Sequence, residues 1–253
     1  MSDIVFFTNK STHGVRILND LNKSGIFPDL ILVEQSKKPK SSATRIIEAF
    51  RAGDLIKAIK LFLLTPFQKS KAGQHLSYYR DKAKSVSSVN NFNGPEVEQL
   101  LSRLDIRFII LGGSRILKPH VLKHAKEGVL NAHPGLLPYY RGAGVIFWSL
   151  YNNNLPGVTV HYVNSGIDTG NIIRTETLQI LKDDTIEKIR VRAEALCAQL
   201  MCEVVKTLLS DSSQIALKPN PSHLGKTYYL KELTDEIRSK AEENLQRLIE
   251  LTH

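Results

Sequence analysis

Apolar runs separated by stretches of helical spacing dominate the first third of the chain and recur further along. Ile4-Val5-Phe6-Phe7, Leu30-Ile31-Leu32-Val33 and Phe108-Ile109-Ile110-Leu111 are continuous apolar runs, the pattern of strands buried on both faces. Val15, Leu18 and Leu21 fall at helical spacing between the first two and end near Ser24-Gly25, so the chain opens as β-α-β. Val97, Leu100, Leu101 and Leu104 predict a short helix after the turn Asn91-Phe92-Asn93-Gly94-Pro95. Gly112-Gly113-Ser114 breaks the next strand, and Ile116, Val121 and Leu122 begin another helical region. Val129-Leu130-Asn131 reads as a short strand, Ala143 to Tyr151 as a helix, and Gly157 to Val163 alternates as a strand. Thr185 to Leu209 carries the clearest helical stripe, with Asp183 or Asp184 as its expected N-cap. Lys218-Pro219-Asn220-Pro221-Ser222 is a turn-rich connection, followed by a strand at Thr227 to Leu230 and a polar helix from Thr234 to Leu251. The pattern predicts an α/β fold, Rossmann-like, with a mostly parallel twisted sheet flanked by helices. Residues 1–210 form its body and 211–253 a small strand-helix extension. A helical insertion at about 41–90 interrupts the body, reading as mainly helical from Ser41 to Tyr79, with an apolar stripe and a basic opposite face.

Composition narrows the class. A chain of 253 residues with 42% hydrophobic and 23% charged content is an ordinary globular composition. Its longest apolar run is far short of a membrane span. The start Met1-Ser2-Asp3-Ile4-Val5 enters a strand without a basic leader, so the expectation is a cytoplasmic protein. Cys197 and Cys202 sit in one helix pattern, match no metal spacing, and read as buried thiols in a reducing compartment. No metal is expected. The formal charge of +9, from 34 basic and 25 acidic residues, favours anionic partners. Much of it lies in Lys37-Lys38-Pro39-Lys40 and between Lys57 and Lys84, without the aromatic interleaving of a single-strand platform. A nucleic-acid groove is therefore disfavoured, and a phosphorylated small molecule fits the charge equally well.

The chemistry concentrates between Val129 and Ile173. Asn131-Ala132-His133-Pro134-Gly135-Leu136-Leu137-Pro138 is followed by Tyr140-Arg141-Gly142-Ala143 and then by Gly166-Ile167-Asp168-Thr169-Gly170. An amide, an imidazole and a carboxylate thus fall at strand ends and turns in an apolar setting. Taken singly, Asn131 is a turn cap, His133 a hydrogen-bonded structural histidine and Asp168 a turn aspartate. Taken together they can stabilise an oxyanion, manage a proton and orient a water, which suits acyl transfer to an amine.

These three motifs at these separations resemble the 10-formyltetrahydrofolate-dependent formyltransferases, over roughly residues 105 to 210 and more loosely over 1 to 35. The resemblance implies 10-formyltetrahydrofolate as formyl donor and a primary amine as acceptor. It also implies Asn131, a protonated His133 and Asp168 as the catalytic set: the first two donate to the oxyanion, and Asp168 holds His133 and a water. It places the pterin against Arg115, Ile116 and Leu117, with Val163 and the Asn164 to Asp168 loop, Gly166 included, on the other side. It also leads to the expectation of a cis Leu137-Pro138 bond. His161 is equally consistent with a supporting role and with a plain strand position.

The acceptor is less defined. The loop Thr8-Asn9-Lys10-Ser11-Thr12-His13-Gly14 lacks the paired glycines of the glycinamide ribonucleotide enzymes, and residues 211–253 leave too little chain for the barrel of the methionyl-tRNA enzymes. The expected acceptor is therefore a nucleotide-linked amino sugar. Lys10 and His13 are candidates for its phosphate, and Tyr139, Tyr140 and Arg141 for its border. The alternatives are an enzyme of the phosphoribosylglycinamide or methionyl-tRNA type, or a non-catalytic folate binder. A homodimer through the extension and the absence of a membrane partner complete the expectations.

Overall fold

The computed structural model describes residues 2–35, 50, 51, 53 and 76–252. The helical reading of Ser41 to Tyr79 falls largely outside these residues. Among the described residues, seven strands form one sheet in the order β3-β2-β1-β4-β5-β7-β8. They are β1 (Ser2–Thr8), β2 (Leu30–Glu34), β3 (Ser85–Val89), β4 (Ile106–Gly112), β5 (Ala125–His133), β7 (Gly157–Tyr162) and β8 (Ile172–Thr177). The pairs among β1 to β5 are all parallel. The sheet then reverses, β7 running antiparallel to β5 and β8 antiparallel to β7.

Alternation along each central strand divides the core in two. Ile4, Phe6, Ile31, Phe108, Ile110 and Leu130 point to one face. There they meet α1 (Thr12–Lys23), α5 (Ile186–Ser210) and α6 (Asp235–Thr252). Val5, Phe7, Leu32, Ile109, Leu111 and Val129 point to the other, beneath α2 (Pro95–Leu101) and α3 (Pro119–Leu122). Both faces being covered explains the continuous apolar runs.

Helix ends follow local chemistry. Ser11 caps α1 by accepting the Gly14 N–H at 3.1 Å and donates its hydroxyl to the Gly112 carbonyl at 3.3 Å, tying the loop after β1 to the end of β4. Thr185, not Asp183 or Asp184, caps α5 by accepting from Lys188 N. Asp184 is buried instead, accepting from Leu181 N at 2.8 Å and pairing with Arg192. Cys197 and Cys202 are free and buried, and burial pushes the Cys197 thiol pKa up.

Three strands were not anticipated. β3 and β8 are edge strands rich in Ser, Thr and charged residues, with weak alternation. The third, β6 (Tyr140–Gly142), pairs in parallel with β9 (Lys226–Tyr228), so residues following α5 dock beside the Tyr140-Arg141-Gly142 motif. Gly142 has φ +87°, and a Cβ there would lie 2.2 Å from the Tyr228 carbonyl oxygen. Glycine is what allows this approach. Tyr228 stacks on Trp148 of α4 (Val145–Tyr151) with ring centroids 4.6 Å apart. α6 lies along α4 and sends the Asn244 side-chain amide to the Leu150 and Tyr151 carbonyls, both at 2.9 Å.

Candidate active site

The cleft lies at the carboxyl ends of the parallel strands, where the sheet changes direction. β5 delivers Asn131 and His133 in its last residues, on one face two positions apart. β7 places His161 directly opposite Asn131 across the antiparallel ladder. The Asn131 side-chain amide Nδ2 donates to His161 Nε2 at 3.1 Å, and His161 Nδ1 donates to the Tyr162 carbonyl at 2.7 Å. Those two bonds require a neutral imidazole with its proton on Nδ1. Burial agrees, holding the His161 pKa at about 4, against the partly opposing field of Asp168.

His133 is buried, and its Nε2 donates to the Tyr140 carbonyl at 2.7 Å. That bond leaves Nδ1 facing the cleft, 3.5 Å from Asp168 Oδ2. The Asp168 carboxylate accepts the Gly142 backbone N–H at 2.8 Å through Oδ2, and its Oδ1 lies 3.7 Å from His161 Nε2. The Asp168 backbone is left-handed, φ +50°, a conformation aspartate tolerates better than most side chains. Amide and imidazole from the end of β5 and carboxylate from the loop after β7 thus meet in one cavity of about 260 Å³.

The supporting loop is fixed from below. Thr159 is fully buried on β7 and donates its hydroxyl to the Gly135 carbonyl at 2.8 Å while accepting the Leu137 N–H at 3.1 Å. The Leu137-Pro138 bond is cis, as the resemblance implied.

Arg115, Ile116, Leu117, Val163 and Gly166 all line the same cavity, as does His13. Arg115 is held by buried Glu34, 2.8 Å away, and the Asn93 side chain bridges the Ile116 carbonyl and the Lys118 N–H. Leu117 is buried, while Ile116 is 62% exposed, an apolar side chain in the open at the cleft mouth. With Leu111 and Ile167 these residues give apolar walls edged by backbone donors and acceptors. A flat heteroaromatic ring with polar edges fits such walls.

The five residues expected at the acceptor fare differently, Tyr140 being buried with its carbonyl turned to His133. His13 lines the cleft, but burial lowers its pKa to about 4 despite a hydrogen bond to the Ala132 backbone, so at neutral pH it brings no charge to a phosphate. Lys10 lies in the loop after β1 with φ +66° and does not line this cavity. Tyr139 opens onto a separate groove with Leu155, Leu224 and Lys226. The expectation for Arg141 is corrected: it is 2% exposed, and its guanidinium donates to Asn220 Oδ1 and to the Pro221 and Ser222 carbonyls. A side chain so engaged is part of the framework, not a border for substrate.

Thr159, Asn220 and the Tyr140 carbonyl escaped the sequence reading. The Asn220 amide donates to the Asp168 carbonyl at 2.9 Å and the Gly170 carbonyl at 2.8 Å. Prolines on both sides of Asn220 were the available signal, marking a locally fixed backbone.

With this geometry the chain matches the formyl transferase family model over residues 2–205. It belongs to the formyl transferase family. A methionyl-tRNA formyltransferase from Chlorobium limicola is 35% identical over 127 residues, 49% of this chain and 38% of that protein. The chain spans less than half the length of the curated relatives it matches. Among solved structures, the N-formyltransferase from Helicobacter canadensis, in complex with folinic acid and dTDP-3-aminofucose, shares the fold with a TM-score of 0.61 and 17% identity, over 97% of this chain and 81% of that one. The phosphoribosylglycinamide formyltransferase from Bacillus halodurans shares it with a TM-score of 0.56 and 22% identity, over 83% and 96%.

Proposed function

We propose that this family member is an N-formyltransferase that moves a formyl group from 10-formyltetrahydrofolate to a primary amine, with a nucleotide-linked amino sugar as acceptor. The observation that carries the reading is the meeting of Asn131, His133 and Asp168 beside a cavity whose walls suit a pterin. The folate supplies the formyl group. The chain's own residues do the rest. One Asn131 N–H is spent on His161, which leaves the second to meet an oxygen gaining negative charge. His133, anchored through Nε2, presents Nδ1 to the cleft as a donor when the ring is protonated, 3.5 Å from Asp168 Oδ2. The Gly142 N–H fixes the Asp168 carboxylate, so the proton path from the attacking amine has a defined acceptor.

The amino-sugar acceptor is supported by the relative solved with dTDP-3-aminofucose. A second acceptor, methionyl-tRNA, is favoured by the curated relatives and by the +9 charge. The test is formyl transfer from 10-formyltetrahydrofolate to a panel of dTDP- and UDP-linked amino sugars, glycinamide ribonucleotide and methionyl-tRNA. The sugar reading predicts turnover on a nucleotide-linked sugar. Turnover confined to methionyl-tRNA would replace it with the second reading, and donor binding without turnover on any amine would refute both.

A further inference from the structure

Asn220 lies beyond the residues matched by the family model, in the connection between α5 and β9, yet it reaches the cleft. Its side chain is 8% exposed and all its hydrogen bonds point one way. Nδ2 uses both of its protons on the Asp168 and Gly170 carbonyls, and Oδ1 accepts from Arg141 Nη2 at 3.2 Å. Asn220 is itself well anchored. Lys218 exchanges a pair of backbone hydrogen bonds with Ile172 of β8, at 2.8 and 2.9 Å, and Pro219 and Pro221 restrict the backbone between. Arg141 closes the frame by donating to the Pro221 and Ser222 carbonyls. Arg141 precedes Gly142, whose N–H holds the Asp168 carboxylate, so the clamp grips Asp168 from its backbone and from its side chain.

We propose that Asn220 is a positioning residue for Asp168: its amide, held by Arg141, keeps the left-handed turn at Asp168 and so aims the carboxylate at His133. The proposal rests on the formyl-transfer reading for its consequence in rate, but its structural content is independent of that reading. Among the described residues no other side chain donates to the Asp168 carbonyl, so a turn lacking Asn220 would have to find water instead. An aspartate at 220 is the informative change. It retains an oxygen for Arg141 and loses both donors, facing two carbonyl oxygens with a negative charge.

Two measurements decide the matter. First, kcat and KM are compared for wild type, Asn220→Asp and Asn220→Ala, with 10-formyltetrahydrofolate and an acceptor from the panel above that wild type uses. Both variants are expected to lose about 10- to 100-fold in kcat, within the range for loss of one oriented catalytic contact. The KM for donor should stay within about threefold, and in an Asp168→Asn background Asn220→Asp should cost less than about twofold. A loss that is as large in that background, or a wild-type kcat in Asn220→Asp, overturns the proposal. Second, hydrogen exchange of the Gly142 amide is followed in wild type and Asn220→Asp. It should speed up at least tenfold while amides of α5 keep their protection; unchanged exchange at Gly142 overturns the proposal. Should Asn220→Ala fail to fold, Asn220→Asp alone carries both measurements. If wild type formylates nothing in the panel, the functional reading fails, and exchange at Gly142 still decides the positioning role.

Discussion

His133 and His161 are both buried at the cleft, their rings edge to face 6.3 Å apart, yet their bonding separates them. His161 is fixed as a neutral ring by donating to Tyr162 and accepting from Asn131, whereas His133 spends only one nitrogen on the framework. Replacing Asn131 or His133 by alanine should therefore cut kcat on the order of 100- to 1000-fold with a cooperative thermal transition retained. Steady-state kinetics beside thermal denaturation would check it, and near wild-type turnover in either variant would exclude the assigned donors. The neutral histidines also predict a pH dependence of stability. His161 and His13 have pKa values of about 4 in the folded chain against 6.5 ordinarily, chiefly through burial. Between pH 6.5 and 4 the unfolded chain takes up protons that the folded chain refuses, so stability is complete above that window and falls as the pH drops through it. Thermal melts from pH 8 to 4.5 should show a plateau and then a decline, with a shallower decline for His161→Gln. At this scale the meeting of Asn131, His133 and Asp168 was legible in the sequence, through the motifs that carry them. Asn220 and Thr159 were not, because their roles arise from partners 52 and 24 positions away and no local pattern encodes that. Arg141 misled for a related reason: an arginine in a motif reads as a ligand for anions until its burial is known.

Buried strands announced themselves, since a strand covered on both sides must be apolar along its covered length, as residues 4–7 of β1, 30–33 of β2 and 108–111 of β4 are. Edge strands such as β3 and β8 face water on at least one side and carry no such mark. The three-residue β6 was hidden further, because its partner β9 lies far along the chain. Two substitutions test how these elements hold the cleft. Thr159→Val keeps the shape of a β7 residue but leaves the Gly135 carbonyl and the Leu137 N–H without their partner, at about 1–3 kcal/mol. Urea denaturation measures the loss, and an unchanged midpoint would mean that the loop after β5 is held elsewhere. Gly142→Ala puts a methyl against the Tyr228 carbonyl at a positive φ and should cost at least about 2 kcal/mol. It should also lower kcat, because the displaced amide is the one that holds Asp168.

Residues 211–253 were expected as a strand-helix extension, and the described ones among them place β9 beside the cleft motif and α6 against α4. Ala241 and Leu245 of α6 are buried in the larger of the two cores, together with Phe6 and Leu130 of the sheet. A chain ending at residue 210 would expose that surface and lose the Asn220 clamp. It should lack a cooperative thermal transition, and a soluble fragment with a sharp melt would show that the body stands alone. None of the described helices is long and apolar enough to cross a membrane. The acceptor was the least legible property of all, since no compact motif in the sequence marks it.

The direct facing of Asn131 and His161 across the β5–β7 ladder has a practical meaning for re-engineering. Those two groups are aligned by rungs of a sheet, whereas Tyr139 and Leu224, beside the neighbouring groove, belong to connections that the ladder does not constrain. A library that varies only those connections would leave the reacting centre at a fixed setting, so a change of customer need not mean a change of tool.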